Sequence, residues 1–403
     1  MVERVGQASR HHRPGDASII YPAVRAVEHA TAVPGVRPSR IFSVLWPLWQ
    51  VETTAQVQEE QDYEMLDRFL VRGLLEAGFT RVTELYAFYG IPRSLVDRCL
   101  AFLSLIGHVV VADGVVTLTP LGLDSARAGI RYVAKESRQK LLVERFTSRP
   151  LPRSHYDGSL TVLTIPRVPP EQGGDRLRFK ALFAPTVFQP EIIAQLAQRP
   201  DRHEFNLPKR MRDLQVLGAQ DAYLPAYLIA CADQRLLAYS GVAGERDTFI
   251  EQVCNQLPMI GHLVAAERAE DPQAIWTQWL AGSKLKGTLR QLPNGTWRAT
   301  LATDSFGDPP RLSRAQVGSY RLSKGCFLQL WSNDTGLRRR AAMERVLSMT
   351  KSRDMIGDRA DLVARTASLA ERLEVPAPTL NELRQHAHRH GLTDTLARLD
   401  ELD

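Results

Sequence analysis

Cysteine is scarce in this sequence, and its four residues stand far apart. No C-x-x-C pair occurs among Cys99, Cys231, Cys254 and Cys326. A disulfide framework needs several cysteines at regular spacing, and a structural zinc site needs closely spaced ligands. The pattern therefore indicates reduced thiols in a cytoplasmic protein.

Long apolar runs and catalytic signatures are absent too. No segment approaches the roughly 18 apolar residues of a membrane span, and residues 1–18 lack the apolar core of a secretion signal. The patterns G-x-x-x-x-G-K-[ST], G-x-G-x-x-G, G-x-S-x-G and H-E-x-x-H do not occur. We therefore predict no catalytic residue, no cofactor, no metal and no membrane partner. Catalytic groups can assemble from distant positions, so an enzyme stays open as an alternative.

Lysine is also rare, since only 8 of the 51 basic residues are lysines and 43 are arginines. This bias is typical of a GC-rich bacterial genome and says little about function.

A chain of 403 residues with 44% hydrophobic residues is expected to form two to four domains, each with a hydrophobic core. Residues 1–18 are polar and basic, so we predict a disordered tail there.

The stretch from Asp62 to Gly129 has the most regular pattern in the chain. Leucines at helical spacing predict a first helix that ends near Gly78. A short second helix ends at Gly90, and Pro92 opens a third helix with a broad apolar face. Valine-rich segments on both sides of Asp113-Gly114 predict a β-hairpin. A generic helical hairpin followed by a β-hairpin is the alternative.

The sequence Leu118-Thr119-Pro120-Leu121-Gly122 follows this hairpin. It resembles the strand-to-helix exit of bacterial winged-helix proteins of the MarR-like kind. The resemblance covers residues 62–130 and implies a winged helix-turn-helix, in which the third helix is the recognition helix. It implies no particular family for the rest of the chain.

Positive charge lies beside this module more than within it. Residues 62–130 carry six basic and eight acidic residues, whereas 131–155 carry seven basic and two acidic residues. Residues 331–353 carry six basic and two acidic residues. A basic chain is compatible with nucleic-acid binding. We therefore expect the flanking segments to supply most phosphate contacts.

The remaining sequence predicts an α+β multidomain protein: a winged helix-turn-helix, a mixed α/β domain, a small β-rich barrel-like unit and a helical C-terminus. Residues 19–61 contain a strand that Pro47 either breaks or places at a sheet edge and that continues beyond it. Residues 131–157 are predicted as a basic linker, with a helix over 132–145 as the alternative. Residues 158–265 form the α+β domain, with a strand over 160–165, and the N-terminal strand fits into its sheet by the Leu-Trp-Pro-Leu-Trp pattern. Residues 266–332, with a hairpin turn at Asn294-Gly295, form a small barrel or sheet, and residues 333–403 are helical.

Two hypotheses of function follow. The first, which the sequence favours, is a protein that binds double-stranded DNA. It is either a regulator or the DNA-engaging subunit of a bacterial multi-protein complex, such as a defence complex. The second is a non-catalytic scaffold that uses the module to contact protein, because Asp97 on the recognition helix would repel phosphate. An enzyme in residues 158–265 is a third. The candidate DNA-binding residues are Arg93, Ser94, Arg98, Arg145, Arg149, Arg153, Arg338, Arg339 and Arg340.

Overall fold

The computed structural model describes residues 20–156, 160–168, 178–242, 246–266, 270–307, 312–351 and 356–402. The tail predicted over residues 1–18 lies outside them. The α-helices are α1 (Ala23–Ala32), α2 (Met65–Glu76), α3 (Val82–Tyr89), α4 (Arg93–Leu105), α5 (Pro120–Ala128), α6 (Glu191–Gln198), α7 (Thr248–Gln256), α8 (Pro258–Ala266), α9 (Pro272–Ser283), α10 (Thr335–Thr350), α11 (Arg359–Arg372), α12 (Leu380–Arg389) and α13 (Thr393–Glu401).

Three sheets are present in the described residues, so the chain is of the predicted mixed α+β class. Their strands are β1 (Pro38–Gln61), β2 (Val109–Ala112), β3 (Val115–Leu118), β4 (Arg131–Glu144), β5 (Lys180–Ala181), β6 (Met211–Cys231), β7 (Leu236–Tyr239), β8 (Gly287–Gln291), β9 (Trp297–Leu301), β10 (Tyr320–Ser323) and β11 (Cys326–Trp331). The largest sheet has the order β4-β1-β6-β7, with β5 also paired to β1.

Two compact units divide the chain. The first contains residues 1–47, 157–183 and 223–403, and the second contains residues 48–156 and 184–222. The long strands β1 and β6 each have residues in both units. The segments predicted as a β-rich unit and as a helical C-terminus therefore belong to one compact unit.

The N-terminal strand joins the same sheet as the hairpin of β6 and β7, as its sequence pattern predicted. It is not interrupted at Pro47, because β1 continues through that residue to Gln61. A proline removes one ladder donor without preventing extended backbone. Residues 160–165, which were predicted as a strand, form only one bridge, between Leu163 and Tyr223.

The basic linker predicted over 131–157 is wrong for its first part, which is a strand. All fourteen residues of β4 pair antiparallel with β1, from Leu48 opposite Glu144 to Gln61 opposite Arg131. Both strands are polar near the Gln61 end, so their sequences lack the apolar alternation that announces a half-buried strand. Near the other end, Val51, Leu141 and Val143 are buried against α6.

Residues 62–130 are inserted between these two strands and have a core of their own. Buried side chains of α2, α3 and α4 meet those of the β2–β3 hairpin; they are Leu70, Val71, Leu74, Val82, Leu85, Val96, Leu100, Leu103, Val109 and Val116. Arg81, just before α3, forms an antiparallel bridge with Val115. We refer to residues 62–130 as the inserted module.

The small β-rich region is an open sheet in the residues described, so of the two predicted forms the sheet is confirmed and the barrel is wrong. The strand order is β10-β11-β9-β8, which leaves β8 and β10 at the edges. The central pair of β9 and β11 is parallel. Ile275 and Trp276 of α9, with Leu337 and Ala341 of α10, pack on this sheet. Because these helices bury its apolar side chains, the sheet needs no closure to form a core.

The C-terminal helices form as predicted, and side chains cap the starts of α10, α11 and α12. Asp334 Oδ1 accepts a hydrogen bond from Leu337 N at 2.7 Å at the start of α10. Thr379 and Glu382 form a capping box on α12. Among the described residues, no helix combines the length and the apolar character needed to cross a bilayer.

Candidate interaction surface of the inserted module

Helix α4 carries the three predicted DNA-binding residues of the module. Arg93, Ser94 and Arg98 are all exposed in its N-terminal half. Arg93 Nε lies 3.5 Å from Asp97 Oδ2, one turn along the helix, and both side chains remain largely in solvent. Such an exposed pair is weak and leaves the Arg93 guanidinium accessible. The structure therefore brings these three side chains together on one helix.

The C-terminal half of α4 is apolar on its outer face. Arg98, Phe102 and Leu105 occupy positions i, i+4 and i+7, so they follow one side of the helix. The exposed fraction is 37% for Phe102 and 84% for Leu105. Sequence reasoning missed these two residues, although their helical spacing from Arg98 was visible.

The β2–β3 hairpin extends this apolar character. Val110, Val111 and Val115 are 54%, 41% and 37% exposed. The hairpin, residues 109–118, contains no lysine or arginine, and its single charged residue is Asp113 at the turn. Asp113 and Gly114 both have positive φ angles, 51° and 74°, as a tight hairpin turn requires. A hairpin of this composition offers no cation to a phosphate backbone.

A row of aromatic rings lies along α2 and α3 of the module. Ring centroids are 6.3 Å apart for Phe69 and Tyr89, 5.0 Å for Tyr89 and Phe88, and 5.0 Å for Phe88 and Phe79. Tyr89 donates a hydrogen bond to the Phe69 carbonyl at 2.7 Å. Phe69 and Phe88 stay 46% and 66% exposed. The module therefore exposes large apolar side chains on more than one helix.

A buried polar cluster fixes the base of the module to the start of β4. His108 is fully buried; its Nε2 lies 2.7 Å from the Tyr132 carbonyl and its Nδ1 lies 3.0 Å from the Tyr63 hydroxyl. Nε2 is therefore the donor, and Nδ1 accepts from Tyr63. Ser125 Oγ accepts from Tyr132 N at 3.2 Å.

Burial sets the protonation of this cluster. It lowers the pKa of His108 and raises the pKa of Tyr63 to about 12. It also raises the pKa of Asp67, against the opposing effects of Cys99 and Arg131. The imidazole is held neutral beside a neutral phenol. Because the cluster is buried, its chemistry is positioning rather than catalysis.

The other predicted DNA-binding arginines of the second unit differ in their surroundings. Arg145 Nη1 lies 2.8 Å from Asp221 Oδ1, and its guanidinium carbon lies 5.3 Å from the centre of the Trp49 ring. Arg149 is partly buried, whereas Arg153 is exposed. Arg145 thus has intramolecular partners for its charge, and Arg153 is the most accessible of the three.

Helix α10, in the first unit, holds the last three predicted residues. Arg338 is 8% exposed and donates to the Leu373 carbonyl at 3.0 Å. Arg339 forms an ion pair with Glu382 at 2.6 Å. Arg340 is exposed. Arg338 therefore fastens α10 to the end of α11, a role that the arginine-rich sequence did not reveal.

Two carboxylates of the 158–265 region, those of Asp247 and Asp233, form hydrogen bonds or ion pairs within the protein. Asp247 accepts hydrogen bonds from Ile250 N and Ser240 Oγ at the start of α7, and Asp233 pairs with Arg235 at 2.6 Å. His386 of α12 and His390, which follows the helix directly, have ring centroids 4.4 Å apart. The described residues contain no group of three or more histidine, cysteine or acidic side chains arranged to hold a metal.

No protein-family model, no curated protein and no solved structure gives a match to this chain. The exposed surface of the inserted module is therefore the basis for its functional interpretation.

Proposed function

We propose that residues 62–130 form a winged helix-turn-helix. The helix order α2, α3, α4 followed by the β2–β3 hairpin supports this assignment. Arg81 adds a one-residue strand to the hairpin, through hydrogen bonds from Val116 N to the Thr80 carbonyl at 2.7 Å and from Val82 N to the Gly114 carbonyl at 3.1 Å. In this assignment α4 is the recognition helix and the hairpin is the wing.

We further propose that this module docks on protein, and that the chain is a non-catalytic scaffold subunit of a multi-protein complex. The observation that carries this proposal is the apolar outer face of the recognition helix, Phe102 and Leu105, together with a wing of exposed valines. The guanidinium carbon of Arg131 lies 5.3 Å from the centre of the Phe102 ring, so Leu105 is the more open of the two helix residues. Large apolar side chains exposed in number mark sites of protein contact. Aromatic side chains are also enriched at interfaces.

Charge complementarity defines the partner. The module has a net charge of −2 from its sequence, and acidic Asp97 and Asp113 lie on the recognition helix and at the wing turn. A partner surface with an apolar centre and a basic rim matches this pattern. The DNA backbone has a charge of the same sign as the module and no apolar centre.

Site-specific photocrosslinking tests the docking. We would replace Leu105 with a photoreactive phenylalanine in the source cells, and Leu217, which is 49% exposed in the same unit, as a matched control. The expected result is one discrete protein crosslink from position 105 that is absent from position 217. Phe102→Glu should abolish the crosslink and Arg98→Ala should retain it. Equal crosslinks from both positions, or none from position 105, would contradict the proposal.

DNA association is the second candidate, and one observation favours it. Arg93, Ser94 and Arg98 lie exposed together in the N-terminal half of α4, where the helix dipole attracts phosphate. Arg145 already has an acidic partner. Of the predicted DNA-binding arginines of the second unit, Arg93, Arg98 and Arg153 then supply about three phosphate contacts. Three contacts would weaken binding by about 40-fold between 50 and 200 mM salt, against about 10³ for six contacts. A mobility-shift titration decides this: binding that Arg98→Ala weakens would support DNA association, and no binding at 50 mM salt would remove it.

A further inference from the structure

A cleft in the first unit carries a different chemistry from the inserted module. It has a volume of about 580 Å³ and lies between α1, α10 and α11, beside Ser319. Small-molecule sites in proteins span roughly 300 to 1,000 Å³. The cleft therefore has room for an organic molecule, and the groups on its wall decide which kind.

Guanidinium groups dominate this wall. Arg25, Arg345, Arg365 and Arg372 line the cleft, and Glu28 is the carboxylate among the described lining residues. Arg365 has a second carboxylate near it, since its Nε lies 2.9 Å from Asp361 Oδ1. Arg345 pairs with Glu28 and Arg365 pairs with Asp361, whereas Arg372 has only a longer contact with Glu28. A partly buried cation without full compensation favours the binding of an anion.

The central ion pair of the cleft is built into the fold. Arg345 Nη2 lies 2.5 and 2.6 Å from the two oxygens of Glu28, and their side chains are only 12% and 13% exposed. Ser319 Oγ donates to Glu28 Oε1 at 3.0 Å. Burial and the neighbouring Arg372 lower the pKa of Arg345, although Glu28 opposes this. These contacts hold the side chains of Glu28 and Arg345 in place in the absence of a ligand.

Arg372 is the least satisfied member of the cluster. Its Nη1 lies 3.5 Å from Glu28 Oε2, which is longer than the pair made by Arg345. Its buried Nε has no hydrogen-bond acceptor among the residues that the structure describes. The side chain is still 32% exposed, so the outer part of its fork is open to the cleft. An incoming oxyanion would give this guanidinium the acceptor that Glu28 provides only partly.

The wall also has apolar members. Pro22, Val24 and Met349 line the cleft, together with two alanines. A ligand that fills the cleft therefore needs an apolar or flat body as well as a compact negative charge. A phosphate monoester has a charge close to −2 at neutral pH, and its oxygens match the arginine fork.

We propose that this cleft binds a small organic phosphate, with a nucleoside monophosphate as the class to test first. The phosphoryl group lies against Arg372, Arg365 and Arg25, and the body of the ligand lies against Val24 and Met349. This inference is independent of the inserted module, because every residue that it uses belongs to the first unit.

Calorimetric titration of the full chain tests the proposal with three probes: adenosine 5′-monophosphate, adenosine and inorganic pyrophosphate. The monophosphate should bind at least tenfold more tightly than adenosine, and pyrophosphate should compete with it. Arg365→Gln removes a charge-assisted contact and should weaken the monophosphate by about 10- to 100-fold. Arg359→Gln, on the same helix but outside the cleft wall, is the matched control and should bind like the parent.

Arg365 suits this test because its ion pair with Asp361 is partly exposed, so its loss leaves no buried charge. Three outcomes would overturn the proposal. They are no heat with the monophosphate at millimolar concentration, equal binding of adenosine and its monophosphate, and equal affinity of Arg365→Gln and the parent. A duplex oligonucleotide that displaces the monophosphate and is itself weakened by Arg365→Gln would assign the cleft to nucleic-acid backbone instead.

Discussion

Gly122→Ala is the substitution with the largest effect that we expect in the inserted module. Gly122 lies in the first turn of α5, directly against the backbone of His108. An added Cβ would lie 1.9 Å from the His108 carbonyl oxygen, 2.7 Å from its carbon and 3.0 Å from its Cα. Backbone atoms cannot rotate away as a flexible side chain can, so α5 itself has to move.

The size of the effect follows from that distance. Ordinary contact begins at 3.4 Å, so α5 would have to shift by about 1.5 Å. The shift would stretch the hydrogen bond from Thr119 N to the His108 carbonyl, now 2.9 Å, and would disturb Ser125 in the polar cluster. Overpacking costs about 1–3 kcal/mol, and a lost hydrogen bond about 1 kcal/mol. Against a helix-propensity gain of up to about 1 kcal/mol, we expect a net loss of about 1–3 kcal/mol.

Thermal unfolding and hydrogen exchange measure this loss. For a unit of about 150 residues, the midpoint should fall by about 2–12 °C, and protection should fall in peptides from residues 62–130. Gly261→Ala is the matched control, because Gly261 lies in helix α8 and an added Cβ would meet nothing within 4 Å. Gly261→Ala should leave stability unchanged or raise it. If Gly122→Ala behaves like Gly261→Ala, the tight packing of α5 on His108 is not real.

Two further predictions concern the same region. Burial lowers the pKa of His108 below its ordinary value of 6.5, so just below pH 6.5 this imidazole gains a proton only in the unfolded state. The contribution of His108 to stability should therefore be constant above that pH and fall below it, by at most about 1.4 kcal/mol at pH 5.5. Urea unfolding at pH 7.5 and 5.5 checks this, and His108→Gln should show a smaller difference than the parent. Thr119 caps α5 by accepting from Gly122 N at 3.0 Å, so Thr119→Ala should cost about 1 kcal/mol in urea unfolding. An unchanged midpoint would show that the cap is dispensable.

Local signals in the sequence predicted much of the fold. Glycines and Pro92 bounded the helices of the inserted module, and the turns at Asp113-Gly114 and Asn294-Gly295 placed two hairpins. These features depend on residues that are close in sequence. The pairing of β1 with β4 escaped prediction because it joins polar segments about 70 residues apart, where no alternation announces a strand. The open form of the β-rich sheet depends on helices α9 and α10, which composition alone could not place.

Contacts between residues that are far apart in sequence also limited the prediction of the candidate sites. Arg93, Ser94 and Arg98 were predicted as candidates for DNA contact, which requires exposure, and all three are exposed. Arg338 looked equally suited to phosphate in the sequence, yet it is buried against the end of α11. An arginine run shows charge but not the acceptors that already surround it. The cleft at Glu28 and Arg345 joins residues more than 300 positions apart, so no local pattern could have revealed it.

The register of β1 and β4 has a consequence for how the inserted module could change over time. Gln61 lies directly opposite Arg131, so the chain leaves the ladder and returns to it at neighbouring positions. Paired residues of antiparallel strands are only about 4.5–5.5 Å apart. A short turn could bridge that gap, and the module has its own core. The two strands therefore hold the module only by its adjacent ends: recombination that replaced the module with another segment would leave the pairing of β1 with β4 unchanged.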